Sequence, residues 1–516
     1  MRTAQEPAQD TPRKMKNKAL HLLTQTLAAA CLAAGASASS GLDTGSDGNI
    51  VIKAGTIITL AGEVIEDGTI VIENGRVTAV GKDVKTPWNA EVKEFPDSVA
   101  FPGFIEAVTN RGVDRANENI DVAPFLSVKD SIDPVNFYYE DALRAGITTI
   151  NVQQGADCVV GGMGYVVKPV GMTVEAMTVR PDSGLAMAAS PKRGKSRATQ
   201  ALALRRAFDD LRYYLEGVVQ EKRDGKDYAT REALYQGREP DEESAKGRPM
   251  AGDGWKVSDL ELVPRWEIDE KQAPLLALVE GKSSVFFYCS APMDVHTALH
   301  TARENGFLDR TTLVIQPGCW KAADHIAEAG VHVVLAGSVM HTERDPRTGE
   351  EIETFVPGVL QEKGIHFALQ SAGSSSLESL WYQAALCIGH GLTRDQALAA
   401  VTSTPATILG LEDRLGALAP GRDGNVVIFS GDPLSVTSHV EHVVLEGNHV
   451  YDRSTDVRMR QLLTGQQPEN TAPADAKASV PHPHDGPAAD EGEAVDEGEN
   501  EEEKGDDHDD HDEKKD

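Results

Sequence analysis

The sequence predicts an α/β fold: a (β/α)8 TIM-type barrel with a small β-sandwich built from both termini. Two observations lead to this prediction. Short apolar runs alternate with helical patterns through the middle of the chain, and strand-rich segments flank that middle on both sides. With 516 residues the chain exceeds one average domain, but it suits one large barrel with a satellite domain.

The predicted barrel strands are eight apolar runs separated by polar or helical segments. Two of the helical patterns, Val295–Asn305 and Lys321–Ala329, are each followed by a glycine, which is typical of a helix end. Between the third and fourth runs, Gly171–Ser183 leaves little room for a full helix. The eight runs are Val99–Phe104, Thr148–Val152, Tyr165–Val170, Leu185–Ala189, Ser284–Tyr288, Thr312–Ile315, His332–Leu335 and His366–Leu369.

The strand-rich ends contain two predicted hairpins. In the first segment, Asn49–Asp83, the pair Asn74-Gly75 predicts a tight turn, because both residues accept positive φ. The second hairpin is predicted within Leu445–Tyr451, with Gly447-Asn448 as its turn pair. We therefore assign residues 49–98 and 412–455 to the sandwich and residues 99–411 to the barrel. An insertion at about 191–282 contains a helical run, Thr199–Leu215, and is expected to lie over the barrel mouth.

The first 38 residues have the pattern of an export signal. A basic region is followed by the apolar stretch Ala19–Ala34 and the small-residue site Ala36-Ser37-Ala38. The basic residues are Arg13, Lys14, Lys16 and Lys18. This order predicts a signal peptide over residues 1–38 and an exported protein, periplasmic or on the cell surface. A buried core helix is the alternative, and lipidation of Cys31 stays open. No later apolar run is long enough to span a bilayer.

The net charge of −31 is concentrated at the carboxyl end of the chain. From Glu469 to Asp516 there are 19 acidic residues against four lysines, with almost no apolar side chains. Such a segment cannot bury a core, so we predict a disordered acidic tail over residues 464–516. Its histidines could hold metal weakly: His482, His484, His508 and His511. The overall charge argues against nucleic acid and anionic membranes as partners.

The cysteines downstream of the signal show no Cys-x-x-Cys spacing, and they are predicted to be ordinary buried thiols. They are Cys158, Cys289, Cys319 and Cys387. Cys289 and Cys319 follow consecutive predicted strands, so a disulfide between them is the alternative.

Several segments, in this order and at this spacing, resemble a known family. The run Phe101-Pro-Gly-Phe-Ile-Glu-Ala leads into Val108-Thr-Asn110, where the amidohydrolase superfamily has a His-x-His. Later segments are similar to the imidazolonepropionase-like branch of that superfamily. They are Ala145–Thr149, Gly161–Lys168, Ser190–Arg193, Thr402–Leu411 and Gly416–Asp423.

The resemblance implies a metal-activated water and a barrel carboxylate that moves its proton. The positions that match the family's metal ligands, however, hold other residues. The first His-x-His matches Val108 and Asn110, and the His-x-His of the fifth strand matches Tyr288-Cys289-Ser290. The histidine of strand six matches Gln316, and the aspartate after strand eight matches Ala372. We therefore predict neither a catalytic metal nor another cofactor.

The sequence assigns no catalytic residue. The candidate binding residues at the predicted barrel mouth are Asn110, Lys168, Tyr288, Gln316, His341 and Gln370.

Three functions remain open. The chain could be a barrel without hydrolytic chemistry that serves as a binding or assembly partner. It could instead be an active hydrolase of non-peptide carbon–nitrogen bonds with a rearranged site, or an unrelated binding protein on a similar barrel. Because homodimers are common in this superfamily, the expected partners are an intact amidohydrolase paralogue or a second copy of the chain.

Overall fold

A computed structural model describes residues 49–224, 231, 249–251, 255–371 and 379–465. Contacts divide the chain into two units, Met1–Asp456 and Val457–Asp516. The described part of the second unit contains one helix, Val457–Thr464. The predicted signal peptide, Ala372 and the tail beyond Gly465 lie outside the described residues.

The strands are numbered along the chain. The first group is β1 (Ile50–Ile57), β2 (Ile65–Glu73), β3 (Arg76–Gly81), β4 (Glu91–Phe101), β5 (Phe104–Thr109), β6 (Ile147–Val152), β7 (Val160–Met163), β8 (Tyr165–Val167), β9 (Thr178–Arg180) and β10 (Leu185–Ala188). The second is β11 (Pro249–Met250), β12 (Val257–Ser258), β13 (Val285–Cys289), β14 (Thr311–Ile315), β15 (His332–Leu335), β16 (Met340–Arg344), β17 (Glu351–Phe355), β18 (Phe367–Leu369), β19 (Val426–Phe429), β20 (Val440–Leu445) and β21 (Asn448–Asp452).

The helices are also numbered along the chain. They are α1 (Phe137–Arg144), α2 (Val174–Met177), α3 (Arg197–Arg223), α4 (Ala273–Val279), α5 (Pro292–Glu304), α6 (Ala323–Ala329), α7 (Val356–Glu362), α8 (Leu380–Gly389), α9 (Arg394–Ala399), α10 (Ser403–Ile408) and α11 (Val457–Thr464). Short 3-10 helices occupy Val128–Ser131, Leu260–Leu262, Arg265–Glu267, Leu308–Arg310 and Pro317–Ala322.

Strands that precede the predicted barrel in the sequence join strands that follow it in one sheet. Its order is β21-β20-β19-β4-β1-β2-β3, and β4 pairs with β19 in antiparallel register, with Phe101 opposite Val427. A core of aliphatic side chains packs on this sheet, including Ile52, Ile72 and Ile428, each with no exposed surface. The two end segments therefore contribute strands to one sheet.

The turns of this sheet agree with the prediction in one hairpin and differ in the other. Asn74 and Gly75 have φ of 52° and 75° between the paired residues Glu73 and Arg76, as predicted. In the second hairpin Leu445 pairs with Asn448, so the turn residues are Glu446 and Gly447. The predicted pair Gly447-Asn448 is wrong by one residue. A turn pair read from sequence identifies a hairpin, but the strand register decides which residues are central.

The middle of the chain forms two larger sheets. Parallel strands β10, β13, β14, β15 and β18 are neighbours in a six-stranded sheet, and β7 pairs antiparallel with β10. A four-stranded sheet has the order β5-β6-β8-β9, in which β5 and β6 are parallel. Residues of both sheets belong to one buried apolar core. Because helices lie between these strands along the chain, the fold is a mixed α/β structure.

Two predicted strands differ from those in the structure. The run Val99–Phe104 is divided by Pro102-Gly103 between β4 of the end sheet and β5 of the four-stranded sheet. Gly103 has φ of 85°, and an added Cβ would lie 2.3 Å from a side-chain carbon of Thr148, so only glycine fits at this division. The predicted third strand shortens to β8 and pairs antiparallel with β6. Only the one-turn helix α2 fits before β9, which agrees with the short connection noted in the sequence.

The predicted insertion contains a longer helix than the sequence pattern indicates. Helix α3 extends over 27 residues, beyond the predicted Thr199–Leu215, and buries Leu204, Phe208 and Leu211 on one face. The side chain of Ser196 caps its first turn. The four described cysteines are buried and free, and the Cys319 thiol donates to the Cys289 carbonyl at 3.3 Å. Within the described residues, no helix has the length and apolarity needed to cross a membrane.

Candidate functional site

A cavity of about 400 Å³ lies where several strands of the two middle sheets end. Asn110 follows β5, Gln153 and Gln154 follow β6, Gln316 follows β14, and Gln370 follows β18. The carboxyl ends of parallel strands meet at one edge of a sheet, which is where α/β proteins commonly bind ligands. The chain therefore brings five carboxamide side chains to one cavity.

Four of the six predicted binding residues line this cavity: Asn110, Tyr288, Gln316 and Gln370. Lys168 and His341 are not among its lining residues. Burial raises the pKa of the Tyr288 phenol, while the neighbouring Gln316 side chain acts in the opposite direction. Tyr288 therefore stays protonated near neutral pH and can donate a hydrogen bond into the cavity.

Lys168 forms a buried ion pair instead. Its side chain is almost fully buried, and its Nζ atom lies 2.5 Å from Oε2 of Glu446. Glu446 is the first turn residue of the β20–β21 hairpin, so this pair connects the four-stranded sheet with the end sheet. Lys168 has a structural partner, which accounts for its absence from the cavity.

His341 lies on the β16–β17 hairpin and is partly buried. Its Nε2 atom is 4.0 Å from a carboxylate oxygen of Glu343, and its ring faces Gly318. Because Gly318 has no side chain, the imidazole can pack close to the backbone of the 3-10 helix Pro317–Ala322.

The residues at the positions that match the family's metal ligands do not all lie at the cavity. Val108 and Asn110 line the cavity, as do Tyr288 and Gln316. Ser290 does not line it; its hydroxyl donates to Asp294 at 3.0 Å, within the network that begins helix α5. The sixth matched position, Ala372, lies outside the described residues.

These side chains do not fit a catalytic metal ion. A zinc-type site needs at least three imidazole, thiolate or carboxylate ligands converging on one point. Val108 offers no donor atom, Ser290 is engaged by Asp294, and the remaining three positions offer only amide or phenol groups. Among the described ranges no group of three or more His, Cys, Asp or Glu residues could hold an ion.

Glu106 is a functional candidate that the sequence analysis missed. It lies on β5 with no exposed surface, and its two carboxylate oxygens each accept the Ser371 backbone N–H at 3.2 Å. Burial raises the pKa of Glu106 to about 7, although the Ser371 hydrogen bonds and the Arg111 charge oppose that rise. Because Ser371 and Arg111 both line the cavity, a carboxyl group that titrates near neutrality lies directly behind its wall.

One signal in the sequence could have identified Glu106. It is the only acidic residue in the apolar run from Val99 to Val108, and an acidic residue in a buried strand needs a partner or an altered pKa. Gln153 and Gln154 gave no such signal. Their side chains line the cavity only because β6 ends there, and the direction of a strand end depends on the fold.

The Gln153 side chain is held by a buried polar network. Its Nε2 atom donates to Ser183 Oγ at 3.0 Å and to Asn151 Oδ1 at 3.3 Å. Asn151 in turn donates to the Ala107 carbonyl at 2.8 Å on strand β5. This network fixes the orientation of the Gln153 side chain, which lines the cavity.

A polar cavity at the carboxyl ends of parallel strands defines a class of α/β proteins that bind small molecules. Residues 372–451, which include strands β19 and β20, match the family described as "Amidohydrolase family". The chain therefore contains an amidohydrolase family domain.

Two known proteins make this similarity more specific. The structure is similar to that of an amidohydrolase from Thermotoga maritima, with a TM-score of 0.61 and 25% sequence identity, over 78% of this chain and 100% of that one. A segment of 70 residues is 37% identical to the amidohydrolase tasK of Hapsidospora irregularis. That match covers 14% of this chain and only 7% of the relative, so it extends over a small part of either protein.

Proposed function

We propose that this chain is a degenerate amidohydrolase of the imidazolonepropionase-like branch, which binds a ligand or an assembly partner and does not hydrolyse by the usual metal route. The observation that carries the proposal is the replacement of the metal-ligand positions by Val108, Asn110, Tyr288, Ser290 and Gln316. Four of them still line one cavity, so the shape of a site is kept while its metal-binding groups are absent.

The proposed architecture is a (β/α)8 TIM-type barrel with a β-sandwich built from both termini. The parallel neighbours β5–β6 and β10–β13–β14–β15–β18 support the barrel, as does the similarity to the Thermotoga maritima amidohydrolase. The pairing of β4 with β19 supports the sandwich, because these two strands come from the two end segments of the chain.

Metal analysis of the purified chain tests the proposal. The tail histidines His482, His484, His508 and His511 are replaced by glutamine, because an acidic, histidine-bearing tail could bind metal adventitiously. After dialysis against trace zinc and manganese, we expect well under one equivalent of either metal per chain. One tightly held zinc, manganese or iron ion per chain would overturn the proposal.

A second candidate is an active hydrolase of non-peptide carbon–nitrogen bonds with a rearranged site. Glu106 favours it, because a carboxyl group with a pKa of about 7 is suited to move a proton at neutral pH. Turnover of simple amides and ureides, lost in Glu106→Gln with the fold intact, would establish this second function.

We also propose that the mature protein acts outside the cytoplasm, beside an intact amidohydrolase or as a homo-oligomer. The basic, apolar and small-residue order before Ser39 supports export. Light scattering of the purified chain measures self-association. Affinity purification from the native host, with identification by mass spectrometry, tests for an amidohydrolase partner; recovery of only the chain itself as a monomer would contradict the assembly role.

A further inference from the structure

We propose that the exposed face of helix α3 is a dimer interface, where the same helix of a second copy of the chain packs antiparallel about a two-fold axis. This inference rests on the proposed assembly role and assigns a surface to its self-association. It follows from three properties of α3: an exposed face, charges in its middle that lack partners among the described residues, and a residue order that is self-complementary.

Helix α3 has one buried face and one exposed face along its middle turns. Leu204, Phe208 and Leu211 are buried. On the opposite side, six residues at the helical intervals i, i+3, i+4, i+7, i+8 and i+11 are all exposed. Of these, Leu202 is 40% exposed and Tyr213 is 72% exposed, so a large hydrophobic side chain stands at each end of a row of charges. The six are Leu202, Arg205, Arg206, Asp209, Asp210 and Tyr213.

The four charged side chains in the middle of this face have no ion-pair partner among the described residues. The ion pairs that α3 forms there involve Arg197, Lys222 and Arg223, which lie near its two ends. Pairs four residues apart on one helix are favoured when the acidic residue comes first, whereas here both arginines precede both aspartates. The four charges are therefore available to a partner.

The order of the six residues is self-complementary. On one side of the midpoint between Ala207 and Phe208 lie two arginines, and two aspartates lie at the same spacing on the other side. A two-fold axis through that midpoint reverses the direction of the helix, so each residue lies level with its mirror position in the second copy. Leu202 of one copy then packs against Tyr213 of the other, at both ends of the face.

The same axis pairs the charges along both flanks of the helices. Arg206 lies beside Asp210 of the second copy on one flank, and Arg205 lies beside Asp209 of the second copy on the other. Each contact occurs twice, because the axis exchanges the two copies. A parallel arrangement in register would instead place like charges together. The charges of α3 therefore favour an antiparallel second copy, which carries the matching pattern by symmetry.

A groove beside this face adds apolar surface to the interface. Its volume is about 320 Å³, and Arg206 and Asp210 form part of its rim. Its wall includes Phe125, which is 39% exposed, and Leu275 of helix α4. A second copy seated on α3 lies over this groove and shields Phe125 from water. One helix face with one groove is small beside the roughly 800 Å² per partner of a typical stable interface, so the dimer should dissociate on dilution.

Sedimentation velocity of the full chain, over a hundredfold range of concentration, measures the dimer. Arg205→Asp with Arg206→Asp makes the face wholly acidic, and Asp209→Arg with Asp210→Arg makes it wholly basic. Each double variant alone should dimerise at least tenfold more weakly than the wild type, because like charges then face each other. An equimolar mixture of the two should form a heterodimer at least as tightly as the wild type forms its homodimer.

A chain with all four substitutions tests the same face without a change in net charge. It exchanges the positions of the cations and the anions, so it should dimerise as tightly as the wild type, which also shows that the substituted helix folds. The matched control is Arg303→Asp with Arg310→Asp, at exposed positions outside α3. This control changes the net charge as the acidic variant does and should leave the dimer intact.

Three results would overturn the inference. The first is a wild type that stays monomeric at every concentration. The second is a dimer that both charge reversals leave unchanged, because its interface would then lie on another face. The third is a mixture of the acidic and basic variants that forms no heterodimer, because the two faces would then not be complementary.

These results separate the inference from the proposed function. A dimer formed through another face would refute the α3 interface and leave the assembly role standing. A monomer that is recovered with an amidohydrolase from the native host would refute the α3 dimer but not the assembly role. The metal analysis decides the loss of metal chemistry independently of both.

Discussion

The backbone N–H of Ser371 donates to both carboxylate oxygens of Glu106, at 3.2 Å each, and so joins strand β5 to the end of strand β18. These residues are far apart in sequence, and the contact connects the four-stranded sheet with the six-stranded sheet beside the cavity. Because Glu106 is fully buried, the protonation state of its carboxyl group affects both the stability of this junction and the charge behind the cavity wall.

Glu106 should make the stability of the fold depend on pH. Burial raises the pKa of Glu106 from 4.5 to about 7, so the folded state binds a proton that the unfolded state has released between these values. The free energy of unfolding should therefore fall as pH rises from about 4.5 through about 7, by at most about 3 kcal/mol. Urea denaturation of the wild type and of Glu106→Gln at pH 5, 6, 7 and 8 measures the difference.

The control for this prediction is Glu216→Gln, at an exposed position of helix α3. It should reproduce the pH dependence of the wild type, whereas Glu106→Gln should flatten it. Parallel curves for all three proteins would show that Glu106 titrates in the fold as it does in the unfolded chain.

The ion pair between Lys168 and Glu446 should behave asymmetrically when either partner is removed. Glu446→Gln leaves the buried Lys168 ammonium without its carboxylate and should cost about 3 kcal/mol of unfolding free energy. Lys168→Met removes the buried charge and leaves a more exposed carboxylate, so it should cost clearly less. Chemical denaturation measures both.

The exposed pair Lys53–Glu94 provides a matched control, and Glu94→Gln there should cost less than about 1 kcal/mol. Equal costs for Glu446→Gln and Glu94→Gln would show that the burial of Lys168 does not strengthen its ion pair.

The sequence predicts those parts of the fold that depend on local patterns. The Asn74-Gly75 turn and the positions of β10, β13, β14 and β15 follow from turn chemistry and apolar runs. The antiparallel direction of β8 could not be predicted, because an apolar run shows where a strand is and not which way it points. The turn at Glu446-Gly447 depends on register, which is fixed by pairing between strands.

The candidate site was predictable only where a strand end is recognisable. Asn110, Tyr288, Gln316 and Gln370 follow or end apolar runs, and all four line the cavity. Lys168 follows such a run too, but its partner Glu446 lies 278 residues further along the chain. For such a residue, the choice between a structural and a binding role depends on the tertiary structure.

Asp294 should be essential for the stability of the loop that carries Ser290. Its buried carboxylate accepts hydrogen bonds from three parts of the chain: Ser190 Oγ at 2.9 Å, Ser290 Oγ at 3.0 Å and Arg197 Nε at 2.9 Å. Burial alone would raise the pKa of Asp294, but these hydrogen bonds keep it below its usual value. Asp294→Asn should lower the free energy of unfolding by about 2–3 kcal/mol, because an amide replaces a charged acceptor of several hydrogen bonds.

Asp309→Asn is the matched control, because that side chain is 75% exposed, and its effect on thermal or urea unfolding should be small. An equal effect of the two substitutions would mean that the Asp294 network contributes little beyond a surface carboxylate. The hydrogen bond from Ser290 to Asp294 would then not explain why Ser290 lies away from the cavity.

Export should remove the first 38 residues. Amino-terminal sequencing of the protein from fractionated host cells should find Ser39 first, in the periplasmic or cell-surface fraction. Replacing Lys14, Lys16 and Lys18 by glutamate reverses the charge of the basic region, so the precursor should then accumulate in the cytoplasm.

Replacing Lys477 and Lys504 in the acidic tail is the control and should leave export unchanged. A mature terminus at a lipid-labelled Cys31 would establish anchoring at the cell surface instead, and an intact terminus in the cytoplasm of wild-type cells would contradict export altogether.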